Sequence, residues 1–311
     1  MLGSSNCVLK LRTDTRNWEN KLTLMQDIII EINRCQKQWM YLEPIFSSED
    51  IGKTLATELS QFQEVDKLWK STMDTIEAEP GIFDLAERDS ILAGFTEANK
   101  KLEKILRSLN DYLVEKQLVF PRFFFLANED LLMILAQTKD PTLVQKHMDK
   151  CFEGIQKVKF NEKQEVTAMI SAENEVVDLH RKIDVNEGEK KGNVERWMLE
   201  IEKVMRTSLK MLTQQSIADY YQSPRTEWVQ RWPGQIVLAV DQIDWTKGVE
   251  DVFDDMKEGS MQKYREHINK SILDVVQLVR GQLSSQLRTT LKALVVLDVH
   301  GRQVVEDLIK E

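Results

Sequence analysis

The chain has 311 residues, a formal net charge of −9, and 42% hydrophobic and 30% charged residues. With only 12 glycines and 6 prolines, the composition excludes collagen-like and low-complexity chains and is typical of a helical globular protein. The acidic balance argues against a nucleic-acid-binding protein, which normally clusters lysine and arginine on one face.

Cysteine usage and hydropathy predict the compartment. Cys7, Cys35 and Cys151 are scattered and form no Cys-x-x-Cys pair, so reduced thiols are expected rather than a disulfide framework. The longest apolar runs fall far below the roughly 20 residues that a membrane-spanning helix needs. The first ten residues lack the apolar stretch of a signal peptide. These features predict a cytoplasmic protein with no membrane partner.

The first 118 residues are predicted to form three neighbouring helices, at about 18–43, 48–79 and 84–118. The first two end before prolines, because the residue preceding a proline resists the helical conformation. Apolar residues recur at helical spacing in all three. In the first helix they are predicted to form a coiled-coil-like a/d seam of Trp18, Leu22, Met25, Ile29, Ile32 and Trp39.

Residues 119–127 read VFPRFFFLA and interrupt the helical period. A soluble protein rarely exposes so large an aromatic patch, and each buried aromatic side chain contributes on the order of 2 to 3 kcal/mol of apolar transfer. The segment is therefore predicted to form a core where helical bundles meet, made by Phe120, Pro121, Phe123, Phe124 and Phe125.

Residues 164–183 read QEVTAMISAENEVVDLHRKI and are rich in β-branched residues with partial alternation. This pattern predicts a small β-hairpin with strands at about 165–171 and 176–183 and a turn at Glu173-Asn174. The polar run NEGEKKGN at 186–193 follows, and its two glycines make it the strongest linker signal in the chain.

Helix is predicted again from residue 194 to about 223 and, as one long helix, from about 260 past 294. Between them, three tryptophans fall within eighteen residues around a single Pro-Gly break: Trp228, Trp232 and Trp245. Most of these side chains are expected to be buried, with Trp232 the exception because it lies beside the turn.

Gly52-Lys53-Thr54 matches the last residues of a phosphate-binding Walker loop. The full pattern requires a glycine at the position of Ser47 and a buried strand before the loop. Neither is present in the sequence, since YLEPIFSSED leads into a predicted helix. We therefore interpret the triplet as an ordinary first helical turn.

Other reactive side chains lack partners at useful spacing. His147 and Cys151 are four residues apart on a predicted helix, but a metal site would need two further ligands and the remaining histidines are isolated. No Gly-x-Ser-x-Gly nucleophile motif occurs. The sequence predicts no catalytic residue, no metal and no cofactor site.

Several stretches, in the same order, resemble the linker region of axonemal dynein heavy chains: FPRFFFLANEDLLMILAQTKDP, EVTAMISAENEVVDL, GNVERWMLEIEKVMRTSL, WPGQIVLAVDQIDWT and LKALVVLDVHGRQVVEDLI. The resemblance covers about residues 50–311, and the first 50 residues fit more loosely as a preceding helix. The sequences of these motifs are closer to those of axonemal than of cytoplasmic heavy chains.

The resemblance implies a mechanical function. In this family the linker joins the tail to a ring of AAA+ ATPase modules, bends over that ring and straightens to produce the power stroke on a microtubule. It implies a location in the cytoskeleton of the cilium or flagellum axoneme. The implied partners are the ring of the same heavy chain, the microtubule through the parent motor, and intermediate or light chains upstream. ATP and Mg would bind in the ring, so this segment alone is not expected to hydrolyse ATP.

The expected fold is mainly α, an elongated array of helical bundles with one small β-hairpin. We assign residues 1–118 to an N-terminal bundle, 119–164 to the Phe-rich junction and short helices, 165–192 to the hairpin and polar loop, and 193–311 to helices leading toward the ring.

A lever also needs a place to bend, and hinges change conformation at a few loop residues. Glycine content and polarity make Gly188 and Gly192 the candidate hinge, with Pro224 second. Trp228 and Trp232 are candidate docking residues.

Two other interpretations remain open at this point. A spectrin-like helical scaffold would suit the a/d seam, whereas the predicted hairpin argues against a plain helical rod. A nucleotide-binding enzyme would rest on residues 52–54 alone.

Overall fold

The computed structural model describes residues 9–78, 90–136, 140–255 and 259–310, without the side chains of residues 9–12, 49 and 50. The chain divides into two compact units. The first comprises residues 1–143 and 192–195, and the second comprises 144–191 and 196–311. The mainly α fold class is confirmed, together with a small antiparallel sheet in the second unit.

The first unit contains five α-helices within the described ranges: α1 (Leu9–Phe46), α2 (Glu49–Thr54), α3 (Ala56–Ala78), α4 (Ile91–Val119) and α5 (Asn128–Ala136). A 3-10 helix at Pro121–Phe125 joins the last two. The predicted second helix is interrupted at Leu55, whose φ of −111° and ψ of 53° are not helical. The predicted start of the third helix, before residue 90, lies outside the described residues.

The core of the first unit forms around helix α4. The apolar stripe predicted for this helix is buried: Phe95, Leu102, Ile105, Leu109 and Leu113 are each at most 2% exposed. Trp69 of α3 stacks on Trp39 of α1 with ring centroids 5.6 Å apart and meets Phe95 edge-on at 6.3 Å. These aromatic contacts fasten α1, α3 and α4 together, which agrees with the three neighbouring helices expected from the sequence.

The predicted seam of helix α1 is correct in part. Before its last turn the buried side chains are Ile28, Cys35 and Leu42, seven residues apart. Of the predicted seam, Met25, Ile32 and Trp39 are half-buried, whereas Trp18, Leu22 and Ile29 are 42 to 54% exposed. Residues 28–30 are three consecutive isoleucines, so the helix carries apolar side chains on more than one side. Burial against α4 selects one of these sides, which the spacing alone does not identify.

Helix α1 also continues through Pro44 to Phe46, past the predicted end. A proline within a helix removes one backbone hydrogen bond. Ile45 and Phe46, which follow it, are 9% and 7% exposed, and their burial offsets that loss.

The second unit begins with short elements, a 3-10 helix that starts in the first unit (Pro141–His147) and helix α6 (Met148–Cys151), and continues into a three-stranded sheet. Strands β1 (Lys157–Phe160), β2 (Glu165–Ile170) and β3 (Val176–Asp184) pair antiparallel in the order β1-β2-β3. The predicted hairpin corresponds to β2 and β3, with Asn174 at a positive φ of 64° in their turn. Strand β1 was not predicted.

Side chains outside the sheet bond the backbone of one residue in each edge strand. Gln145 bonds both the amide and the carbonyl of Val158 in β1, at 2.9 and 2.8 Å. The amide of His180 in β3 donates to Ser208 Oγ at 3.0 Å. Occupied edge groups are less available for pairing with another chain.

Five helices of the described chain follow a 3-10 turn at Gly188–Lys190: α7 (Val194–Tyr220), α8 (Arg225–Arg231), α9 (Gly234–Asp255), α10 (Ser260–Val279) and α11 (Ser285–Leu308). The single long helix expected from residue 260 past 294 is in fact two helices. Gly281 follows the first, and Ser284 caps the second by accepting a hydrogen bond from the amide of Leu287 at 3.2 Å. Trp228 and Leu291 lie in the core shared by these helices.

Candidate functional site

The Phe-rich segment divides into buried and exposed side chains. Phe120 and Phe123 are fully buried and meet edge-on with ring centroids 4.9 Å apart. Phe124 and Phe125 are 57% and 74% exposed, and Pro121 is exposed as well. The expected junction core therefore needs correction at these three positions, because a 3-10 turn directs successive side chains to different sides.

The candidate hinge glycines both have left-handed backbones. Gly188 has φ +57° and Gly192 has φ +74°, a region that other residues adopt only at a cost. A Cβ added at either residue would have no atom within 4 Å, so backbone conformation rather than close packing favours glycine there. The chain passes between the two units at three points, and one of them lies between Lys191 and Gly192.

The second hinge candidate, Pro224, follows a turn that is densely hydrogen bonded. Asp219 accepts hydrogen bonds from Ser223 Oγ at 2.7 Å, Trp232 Nε1 at 2.7 Å, and Arg231 Nη1 at 2.7 and 2.8 Å. The bonds from Ser223 and Trp232 hold the pKa of Asp219 below its ordinary value. We call these four residues the Asp219 corner, which holds helices α7 and α8 at a defined angle.

The two candidate docking tryptophans have different environments. Trp228 is fully buried, and its Nε1 donates to the carbonyl and hydroxyl oxygens of Ser216 at 3.2 and 3.0 Å. Its docking role is therefore corrected to a core role, because no part of the ring reaches the surface. Trp232 is half-buried and bonded to Asp219 within the corner.

The turn of the β2–β3 hairpin is attached to the starts of two distant helices. Glu175 Oε1 accepts a hydrogen bond from the amide of Gly234, the first residue of α9, at 2.9 Å. It also accepts one from Gln286 Nε2, in the first turn of α11, at 2.7 Å. A carboxylate is well placed there because helix N-termini carry partial positive charge. We call these three residues the hairpin anchor.

Close helix approaches accompany the anchor. A Cβ added to Gly234 would lie 2.7 Å from Thr290 Oγ1, and one added to Gly301 would lie 2.6 Å from Trp245 Nε1. Atoms at such distances overlap, so helix α9 lies against α11 as closely as it does only because these residues are glycine.

A buried cluster joins helices α8, α9 and α11. Arg225 Nη2 donates to Asp241 Oδ1 at 2.5 Å and to both carboxylate oxygens of Asp298 at 2.9 and 3.0 Å. The side chains are only 8 to 9% exposed. This arginine–aspartate cluster was not predicted, although an aspartate inside each of the apolar runs VLAVDQI and VVLDVH is a signal for it.

Sequence features that suggested chemistry are structural elements. Gly52-Lys53-Thr54 lies in a helix as expected, but it ends helix α2 rather than forming its first turn. Because α2 follows helix α1 rather than a strand, no Walker loop forms. His147 and Cys151 are buried. The described ranges contain no group of three or more metal-ligating side chains.

An apolar groove of about 420 Å³ lies in the first unit between helices α1, α2 and α5. Its lining includes one carboxylate, Glu129, and no histidine, cysteine or lysine. The phenol of Tyr41 also lines the groove, and burial together with the nearby Glu129 raises its pKa. Among the described helices, none combines the length and apolarity required to traverse a lipid bilayer.

Comparison with known proteins identifies the family. The model of the family described as dynein heavy chain, N-terminal region 2, matches residues 1–216. The chain is 42% identical over 297 residues to dynein axonemal heavy chain 12 of Homo sapiens and 43% identical over 298 residues to dynein axonemal heavy chain 3 of Mus musculus. It is 40% identical over 296 residues to dynein axonemal heavy chain 1 of Homo sapiens.

These alignments cover 95 to 96% of this chain but only 7 to 10% of each relative. The chain thus spans a tenth or less of the curated heavy chains that it matches. The aligned lengths of 296 to 298 residues exceed the 216 residues of the family match, so the similarity extends past residue 216. On these matches, the chain belongs to the dynein heavy chain family, as a segment of its N-terminal region.

Proposed function

We propose that this segment is the mechanical linker of an axonemal dynein heavy chain, a lever that bends and straightens over the AAA+ ring of the same chain. The observation that carries the proposal is the alignment of nearly the whole segment with axonemal heavy chains at 40 to 43% identity. On this proposal the parent protein is a microtubule motor ATPase of the cilium or flagellum axoneme, and ATP and Mg bind in its ring.

The fold supports a lever because each unit is internally stiff. Close-packed interiors resist deformation. In the second unit the hairpin anchor joins the sheet to two helices, the Asp219 corner joins α7 to α8, and the arginine–aspartate cluster joins α8 to α9 and α11. Force applied to one of these elements would therefore reach the others.

The proposed bending point is the segment that contains Gly188 and Gly192. Both glycines have positive φ, and one of the three points at which the chain passes between the two units lies directly before Gly192. Pro224 is the less favoured candidate because the Asp219 corner restrains the residues around it.

The test replaces Gly188 and Gly192 with alanine in the intact heavy chain and measures microtubule gliding velocity and nucleotide-dependent linker bending. Gly154→Ala is the matched control, since an added Cβ there meets nothing and its backbone is not left-handed. We expect slower gliding and reduced bending in the double variant alone. Unchanged velocity and bending would remove this hinge from the proposal.

The lever role itself is tested separately, by deleting the segment from the intact heavy chain. ATP hydrolysis by the ring should persist while gliding is lost. Gliding at normal velocity without the segment would refute the lever.

A further inference from the structure

The arginine–aspartate cluster holds more negative than positive charge. One guanidinium faces two carboxylates, and a single nitrogen, Arg225 Nη2, bonds both Asp241 and Asp298. The Nε of Arg225 is buried and bonds to no group in the part of the chain that the structure describes. With all three groups ionised, the cluster would carry a net charge of −1 inside the second unit.

A buried net charge is strongly unfavourable unless something neutralises it. Two carboxyl groups that share one donor nitrogen can remove the excess charge by holding a proton between them. Such a pair is neutralised with the arginine when one proton is bound, and it regains its uncompensated charge when the proton leaves.

The charged and titratable groups that face Asp241 come from every helix around it: Tyr220 on α7, Arg225 on α8, Asp244 on α9, Tyr264 on α10 and Asp298 on α11. Burial raises the pKa of Tyr220 and of Tyr264, so both phenols stay neutral near neutral pH. Arg225 is therefore the single cation in this set, and it bonds to two of the three carboxyl groups, those of Asp241 and Asp298.

The next cation along α11 does not compensate the cluster. Arg302, one turn beyond Asp298, forms its ion pair with Glu306, with Nε and Oε1 3.6 Å apart.

Burial raises the pKa of Asp241, Arg225 opposes this and Asp298 adds to it, and the resulting pKa is about 7.

We propose that the Asp241 carboxyl holds a proton below neutral pH, in a hydrogen bond to Asp298, and releases it as the pH rises, so that the attachment of helix α8 to α9 and α11 weakens in alkaline conditions. This device depends on the cluster alone and not on the lever proposal. It makes the rigidity of the second unit respond to pH around neutrality.

The direction of the effect follows from proton linkage. Because the folded pKa of Asp241 lies above the ordinary value of 3.8, the folded chain keeps a proton that the unfolded chain has lost. The stabilisation is complete below that ordinary value and disappears as the pH rises through about 7. The unfolding equilibrium constant should therefore rise severalfold from pH 5 to pH 7 through this one site.

The experiment measures urea unfolding of the 311-residue chain at pH 5, 6, 7 and 8, for the unchanged protein, Asp241→Asn and Asp254→Asn. Asparagine mimics the protonated acid, so the unfolding equilibrium constant of Asp241→Asn should lack this rise between pH 5 and pH 7. Asp254 is an exposed aspartate of the same helix, and its variant should follow the unchanged protein. A pH dependence of Asp241→Asn equal to that of the unchanged protein would overturn the proposal.

A second measurement needs no unfolding and remains decisive if Asp241→Asn folds poorly. Carboxyl carbon NMR of the chain labelled at aspartate should show one resonance that titrates with a midpoint near pH 7. Asp298→Asn should shift or abolish that titration. If every aspartate of the unchanged chain titrates below pH 5, the shared proton does not exist.

Discussion

Truncation of Glu175 to alanine should release the hairpin from the C-terminal helices. The residue supplies a single oxygen, Oε1, to two donors that lie 59 and 111 residues away in the sequence. Without it, the amide of Gly234 and the side-chain amide of Gln286 both lose their acceptor.

The magnitude follows from these two bonds. A hydrogen bond to a charged group contributes about 1.5 to 3 kcal/mol, and a neutral one about 0.5 to 1.5 kcal/mol. Glu175 is half-buried, so water replaces part of the loss, and we expect Glu175→Ala to lower the free energy of unfolding by about 2 to 3 kcal/mol. Glu175→Gln keeps the acceptor oxygen and loses only the charge, so about 1 kcal/mol is expected.

Urea unfolding gives the free energy, and hydrogen exchange at the amide of Gly234 gives the local effect. Glu162→Ala is the matched control, because Glu162 is an exposed glutamate in the turn between β1 and β2 of the same sheet. The prediction is refuted if the free energy of unfolding of Glu175→Ala lies within about 0.5 kcal/mol of this control and the amide of Gly234 keeps its protection from hydrogen exchange. The hairpin anchor would then contribute nothing to stability.

Other substitutions test the packing in the same unfolding assay. Phe123→Ala should lower the free energy of unfolding by about 3 to 5 kcal/mol because its ring is fully buried. Phe125→Ala, at a side chain 74% exposed, should change it by less than about 0.5 kcal/mol. Equal effects would contradict the division of the Phe-rich segment into buried and exposed side chains. Gly301→Ala should cost about 1 to 3 kcal/mol, since its Cβ would lie 2.6 Å from an indole nitrogen, and an unchanged melting temperature would show that α9 and α11 can separate freely. Gly192→Ala should lower the free energy of unfolding by about 1 to 2 kcal/mol because its φ is positive. The comparison variant Gly154→Ala should leave the free energy of unfolding nearly unchanged.

Local sequence patterns were sufficient to predict an element where a single feature, such as one apolar stripe or one turn, determined its structure. Helix α4 has a single apolar stripe, so the positions from Phe95 to Leu113 could be assigned to the core from their spacing. The hairpin could be located because β-branched residues flank a turn in which Asn174 accepts a left-handed backbone. The ordered set of motifs likewise identified the family, which the comparisons confirm.

Only the tertiary structure determined which side chains are buried and which charges pair, because these depend on residues that are distant in the sequence. Helix α1 has isoleucines on several sides, and only packing against α4 selects Ile28 over Ile29. Phe124 is apolar by sequence yet exposed, because the 3-10 turn points it away from the core. Arg225 meets Asp298 across 73 residues of chain, and no local periodicity encodes such a pairing. Spacing thus determines which elements form, whereas the face that is buried and the partner of each charge depend on how those elements come together in space.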